Sequence, residues 1–166
     1  MKQLFSKFGF MKSIEVVAGI ICDEHPSEQT PTGPHSADAT KDCKRFFATQ
    51  RGYGEQKGGW EFPGGKMEPG ESPQQALARE LKEELAIDVN VGEFLCTVEH
   101  DYPTFHLTMH CYFCTLADGS TPTLLEHEAS RWLTPAELHS VNWLPADVKV
   151  VKALENHLSN TSPNTL

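Results

Sequence analysis

Residues 62–85, FPGGKMEPGESPQQALARELKEEL, constrain the fold of this chain more than any other segment. Ser72 is a good N-cap, Pro73 suits the first helical position, and Gln75 stands where a capping-box partner belongs, so the pattern predicts a helix over 73–85. Taking Glu80 as the origin, at about 100° per residue Glu83 falls near −60° and Glu84 near +40°. Leu77, Leu81, Leu85 and Ala78 fill an arc from about 60° to about 160°, so the carboxylates are expected beside the core face. Glutamates spaced this way on a helix are usually a solvated surface. Like charges at i,i+4 nevertheless repel by a few tenths of a kcal/mol, and no lysine at those offsets relieves them. A hard divalent cation such as Mg²⁺, which takes carboxylates together with waters and substrate phosphates, would relieve them.

The rest of the chain sets bounds on that reading. At 166 residues, 39% hydrophobic and 22% charged, it suits one soluble domain with a real core. A net charge of −9 gives no footprint for a long nucleic acid, and a polyphosphate substrate would need a bound cation. The five cysteines, Cys22, Cys43, Cys96, Cys111 and Cys114, are odd in number and irregularly spaced; they read as free thiols in a reducing cytosol. No apolar run approaches the roughly 20 residues of a membrane span, and MKQLFSKFGFMK has no signal-peptide pattern, so a cytoplasmic location is expected. Met11 is an alternative start.

Residues 13–22 are β-branched and almost continuously apolar, as a strand at the sheet centre would be. Residues 23–44, rich in Pro, Ser, Thr and charge, read as a mobile polar loop inserted before a strand at 45–51 that pairs with the first. Further strands are expected at 91–100, 104–116 and around SRWLT. A helix is predicted at TPAELHSV, with Thr134 as N-cap and Glu137 closing a capping box, and another at PADVKVVKALENHL. This divides the chain into an extension (1–12), one domain (13–158) and a tail (159–166).

Gly65, then Glu71 after five residues, then Arg79-Glu80-Leu81-Lys82-Glu83-Glu84-Leu85-Ala86-Ile87 after seven more, resembles the Nudix box at 65–87. One position departs: Ala86 stands where the family has a glycine suited to a left-handed helix C-cap. The resemblance covers roughly 13–158, and WEFPGGK ahead of the box is similar to the MutT-like branch, whose members hydrolyse nucleoside triphosphates. It implies an α/β fold, the Nudix α/β/α sandwich with a mixed sheet between helices.

The same resemblance implies that Glu83, Glu84 and the Gly64 carbonyl hold Mg²⁺, or Mn²⁺ in its place, while Glu80 ligates a further ion or orients water. Glu80 and Glu126 are then the candidate bases; Glu128 is an alternative to Glu126. Glu71 and Arg79 are expected to pair and brace the loop against the helix. Arg51 matches a phosphate-contacting position, Tyr102 a base-stacking one, and Asp147 a base-reading one. Asp147 stands where 8-oxoguanine-specific members have asparagine and cytidine-preferring members have Pro-Ala-Asp as here. A carboxylate accepts from a cytosine amino group or equally from guanine N1 and N2, and it also suits a helix N-terminus.

CYFC is a C-x-x-C motif, but on a strand its cysteines point to opposite faces, which speaks against zinc or redox chemistry. His100, His106 and His110 form no ligand pattern. The reaction expected is conversion of a (deoxy)nucleoside triphosphate, of the 8-oxo-dGTP or CTP/5-methyl-dCTP type, to monophosphate and pyrophosphate. Hydrolysis of ADP-ribose or another nucleoside diphosphate derivative is the enzymatic alternative, and a non-catalytic nucleotide-binding module is the alternative of another class. Oligomeric state is open.

Overall fold

The computed structural model describes residues 10–23 and 43–161. Seven strands form one mixed sheet: β1 (Lys12–Asp23), β2 (Arg45–Gln50), β3 (Trp60–Glu61), β4 (Gly64–Lys66), β5 (Val89–Asp101), β6 (Phe105–Leu116) and β7 (Ala129–Leu133). Helix α1 (Pro73–Leu85) lies between β4 and β5, and α2 (Pro145–Thr161) follows β7. The order is β3-β2-β1-β6-β5, with β4 also on β1 and β7 also on β2. β1 runs parallel to β6 from Lys12 opposite Phe105 to Cys22 opposite Thr115, while β5 and β6 pair antiparallel.

Alternation along β1 divides the core into two layers. Val17 and Ile21 pack with Leu77, Leu81 and Leu85 of α1. Ala18, Ile20 and Cys22 share the other cluster with Val150, Val151 and Leu154 of α2. The sheet therefore lies between the helices, and the expected sandwich is the observed fold. Gly19 allows α1 its close seat, since an added Cβ would stand 3.2 Å from Leu81 Cδ1.

Helix α1 begins and ends as its sequence directs. Ser72 Oγ accepts from the Gln75 N–H at 3.2 Å, and Gln75 Oε1 accepts from the Ser72 N–H at 3.0 Å. Ala86 caps the other end with φ 55° and ψ 34°, the left-handed conformation that a glycine would take at less cost.

The structure corrects four expectations. Cys22 and Cys43 are disulfide-bonded rather than free, leaving Cys96, Cys111 and Cys114 as free thiols. The antiparallel register of β1 and β2, with Cys22 opposite Phe46, brings their Cα atoms to 5.4 Å, and linear spacing carries no trace of that register. With this bond present, the cysteines no longer point to a reducing compartment. Among the described residues no helix is long and apolar enough to cross a membrane. TPAELHSV forms only a 3-10 turn at Pro135–Glu137; its capping box is present, but the chain turns so that the Trp143 indole N–H donates to the Leu138 carbonyl at 2.6 Å. Ala78 is exposed and Ala76 buried, so the core arc of α1 is rotated toward the carboxylates. Finally, Gly64–Lys66, within the loop expected ahead of the helix, pairs into the sheet as β4. The inserted segment, read as mobile, lies for the most part outside the described residues.

Candidate active site

The rotation of α1 separates its three carboxylates. Glu84 is buried, Glu80 is mostly covered, and Glu83 has a side chain 58% exposed. Glu80 Oε1 accepts from Arg79 Nη1 at 2.8 Å, and Glu83 Oε2 stands 3.5 Å from the same nitrogen. Glu84 Oε2 is buried with no hydrogen-bond partner among the described residues. Burial pushes the Glu84 pKa up to about 8, and the charges of Glu80, Glu126 and Glu61 add to the rise.

Arg79 pairs with Glu71. Its Nε donates to Glu71 Oε1 at 2.6 Å and its Nη2 to Glu71 Oε2 at 3.0 Å, a two-pronged pair that holds the Glu71 carboxyl down at about 2. Nη2 also donates to the Lys66 carbonyl at 3.0 Å, tying β4 to α1. The glycine pair leaves little room for side chains, least of all at Gly64. A Cβ on Gly64 would collide with the Val17 carbonyl, and one on Gly65 with the Glu80 carboxylate.

Glu126 sits on a segment held at several points. The Thr123 N–H donates to the Leu85 carbonyl at 2.8 Å, Leu125 N–H to the Glu84 carbonyl at 3.1 Å, and Glu128 N–H to the Gln50 carbonyl at 2.9 Å. This docks residues 123–128 between the end of α1 and the end of β2, close enough for the Glu126 charge to act on Glu84.

Three side chains not singled out from the sequence, Tyr53, Glu61 and His127, belong to the same region as Arg51. Arg51 donates to both oxygens of Glu61, at 3.3 and 3.0 Å, and its guanidinium carbon lies 5.8 Å from the centre of the Tyr53 ring. The His127 side chain is 5% exposed, with Nε2 at 3.5 Å from Glu61 Oε1 and 3.9 Å from Glu84 Oε2. His127 Nδ1 is buried with no hydrogen-bond partner among the described residues. Glu61 could have been suspected as a charge inside the apolar run W-E-F, whereas nothing in EHE marks its central residue.

A cavity of about 380 Å³ is lined by Arg51, Glu61, Glu80 and Glu84 and also by Tyr102 and Asp147. Tyr102 is both a turn anchor and a wall of the cavity. Its ring stacks on Phe105 at 4.8 Å, its N–H donates to the Phe105 carbonyl at 2.9 Å, and its hydroxyl accepts from the Ala146 N–H at 3.4 Å. Asp147 lies in the first turn of α2, 4% exposed, where Oδ1 accepts from the Phe62 N–H at 2.9 Å. Burial pushes its pKa up to about 8, against the lowering effect of the Phe62 N–H.

The donor set fits a divalent cation. Among the described residues, no three acidic, His or Cys side chains form a ready-made cage. Glu84 nevertheless offers an unpartnered buried oxygen in a field of neighbouring carboxylates, and a cation there would reverse the mutual suppression of their ionisation. Glu83 and Glu80 would have to turn from Arg79 to join it.

A family model described as the NUDIX domain matches residues 38–154. The CTP pyrophosphohydrolase of Escherichia coli K12 is 35% identical over 143 residues, 86% of this chain and 92% of its own length. The 8-oxo-dGTP diphosphatase of Haemophilus influenzae is 31% identical over 150 residues, 90% of this chain and 96% of its own. The solution structure of the E. coli ORF135 protein superposes with a TM-score of 0.69 at 32% identity, covering 96% of this chain and 99% of that one. A match that takes in the glycine pair, α1 and the segment carrying Glu126 leaves one conclusion: the chain belongs to the Nudix family of hydrolases.

Proposed function

We propose that this chain hydrolyses nucleoside triphosphates to the monophosphate and pyrophosphate, with Mg²⁺ as the working ion and Mn²⁺ able to replace it, and that cytidine nucleotides are preferred. The observation that carries this reading is the shared cavity: the inward carboxylates of α1 and the Arg51 guanidinium open onto the same space as Tyr102 and Asp147. Polyphosphate and base then have walls of suitable chemistry within one site. The resemblance of the chain to a CTP pyrophosphohydrolase over 86% of its length supports the choice of base.

Glu80, Glu83, Glu84 and the Gly64 carbonyl would hold the cation. When bound, it neutralises charge developing on the non-bridging and leaving oxygens of the phosphates. Arg51 donates to phosphate oxygens, exchanging part of its pairing with Glu61 for them. Glu126, or Glu80, takes the proton of the attacking water as the oxygen–phosphorus bond forms in line with the leaving group. Glu71 touches no reacting atom in this scheme; through Arg79 it keeps the glycine loop and the helix in register. Tyr102 stacks on the base, and the Asp147 carboxylate in its ionised form accepts from the cytosine amino group.

Product analysis over CTP, dCTP, 5-methyl-dCTP, UTP, 8-oxo-dGTP and ADP-ribose, with Mg²⁺ and then Mn²⁺, tests the proposal. Monophosphate and pyrophosphate, released fastest from the cytosine nucleotides, are the expected products. Fastest turnover of 8-oxo-dGTP would overturn the base assignment alone, cleavage confined to ADP-ribose would overturn the substrate class, and nucleotide binding with no turnover would leave a non-catalytic module.

A further inference from the structure

Cys96 and Cys111 play no part in the hydrolytic chemistry, yet the sheet sets them face to face. They are directly opposite one another in the antiparallel register of β5 and β6, and both are free thiols. Both belong to the α2 side of the core, where Cys111 is fully buried and Cys96 is partly open to solvent. The two thiols are close enough for each to shift the titration of the other. Opposed residues of an antiparallel pair have Cα atoms about 4.5–5.5 Å apart, inside the range of about 4.4–6.8 Å that a disulfide spans. The register shifts between Phe94 and Cys96, which leaves the backbone beside Cys96 less tightly fixed than an unbroken ladder.

We propose that Cys96 and Cys111 are a peroxide-oxidisable dithiol that closes to a disulfide between β5 and β6. Cys96 is the attacking sulfur, since it is the accessible member and the hydrogen bond with Cys111 pulls its thiol down while pushing that of Cys111 up. The Cys96 thiolate attacks one oxygen of hydrogen peroxide; the O–O bond breaks, hydroxide leaves, and Cys96 becomes a sulfenic acid. The Cys111 sulfur then attacks the Cys96 sulfur, the S–O bond breaks, and the Cys111 proton leaves with the departing hydroxide as water. Two thiols are oxidised and one peroxide is reduced. Cys114 is on the other face of β6 with its thiol pushed up to about 12 by burial, and Cys22 and Cys43 are already bonded, so neither competes.

The test is peroxide treatment of the full chain with the Cys22–Cys43 bond intact, followed by a thiol count after denaturation and peptide mapping without reductant. The expected result is a fall from three free thiols to one, with a linked Cys96–Cys111 peptide lighter by two hydrogens and recovered on reduction. In Cys111→Ser, peroxide should leave a Cys96 sulfenic acid that dimedone traps, whereas the wild type yields little adduct because Cys111 consumes it. In Cys96→Ser, Cys111 should remain reduced. Retention of all three thiols in the wild type, linkage of Cys96 to Cys22 or Cys43, or equal dimedone labelling of wild type and Cys111→Ser would each overturn the proposal. The wild-type mapping decides the matter even if a variant fails to fold.

Discussion

Glu84 differs from Glu80 and Glu83 in having a buried oxygen with no hydrogen-bond partner among the described residues. Replacing Glu84 or Glu83 by Gln removes an anionic donor and almost no volume, so each variant is expected to fold and to lose at least about tenfold in kcat, roughly 1.4 kcal/mol of barrier. Melting curves with and without Mg²⁺ should show a smaller metal-dependent rise than in the wild type. A Glu83→Gln enzyme retaining more than about a tenth of the turnover would remove Glu83 from the proposed ligands. Asp147 makes a second residue-scale prediction. Its folded pKa of about 8 lies above the ordinary 3.8, so the folded state holds its proton more tightly than the unfolded chain does. The associated stability is complete below pH 3.8 and is lost as pH rises through about 8. Asn does not titrate, so the melting temperature of Asp147→Asn relative to the wild type should climb across that interval. If Asp147 reads the cytosine amino group, the same variant should narrow the kcat/KM preference for CTP over UTP; an unchanged ratio would leave the side chain a tie between α2 and Phe62.

At the scale of elements, α1 was the most legible part of the sequence, because its caps are local. Ser72, Pro73 and Gln75 specify the start within four residues, and Ala86, in a position suited to glycine, already marked the left-handed stop. The Ala86→Gly variant should therefore be more stable by about 1 kcal/mol, seen as a higher melting temperature with unchanged kcat; a lower melting temperature would contradict the cap. The pair of Glu71 and Arg79 was also legible, from the resemblance. What the sequence did not disclose depends on partners distant along the chain. The strand Gly64–Lys66 exists because Val16–Ala18 lie alongside it, and the short helix expected after Thr134 stops at one turn because Trp143 reaches back to Leu138. The same holds within the site: Glu61 and His127 meet only when β3 and the segment after β6 are brought together, and neither has a local signature.

The whole molecule has one covalent cross-link among its described residues, at the end of β1 away from the cavity, whose lining on that strand lies between Ile14 and Ala18. In the chain-entropy account, closing a loop of this length stabilises by about 3 kcal/mol. Reduction, or Cys22→Ser with Cys43→Ser, should accordingly lower the melting temperature while leaving kcat for the best nucleotide near its starting value. Shortening the segment between those two cysteines should be tolerated as well, since loop entropy changes slowly with length; a soluble but inactive deletion would place that segment in the site. The parallel pairing of β1 with β6 has a consequence during synthesis. The strand at the centre of the sheet is made early, but the partner that runs beside it for nearly its whole length, Lys12 to Cys22 against Phe105 to Thr115, is made much later. Until β6 clears the ribosome, β1 has only the antiparallel contacts with β2 and β4 along its edges and α1 against one face, so this architecture completes its sheet late, through contacts distant along the chain, and leaves part of its apolar central strand uncovered while the chain is unfinished.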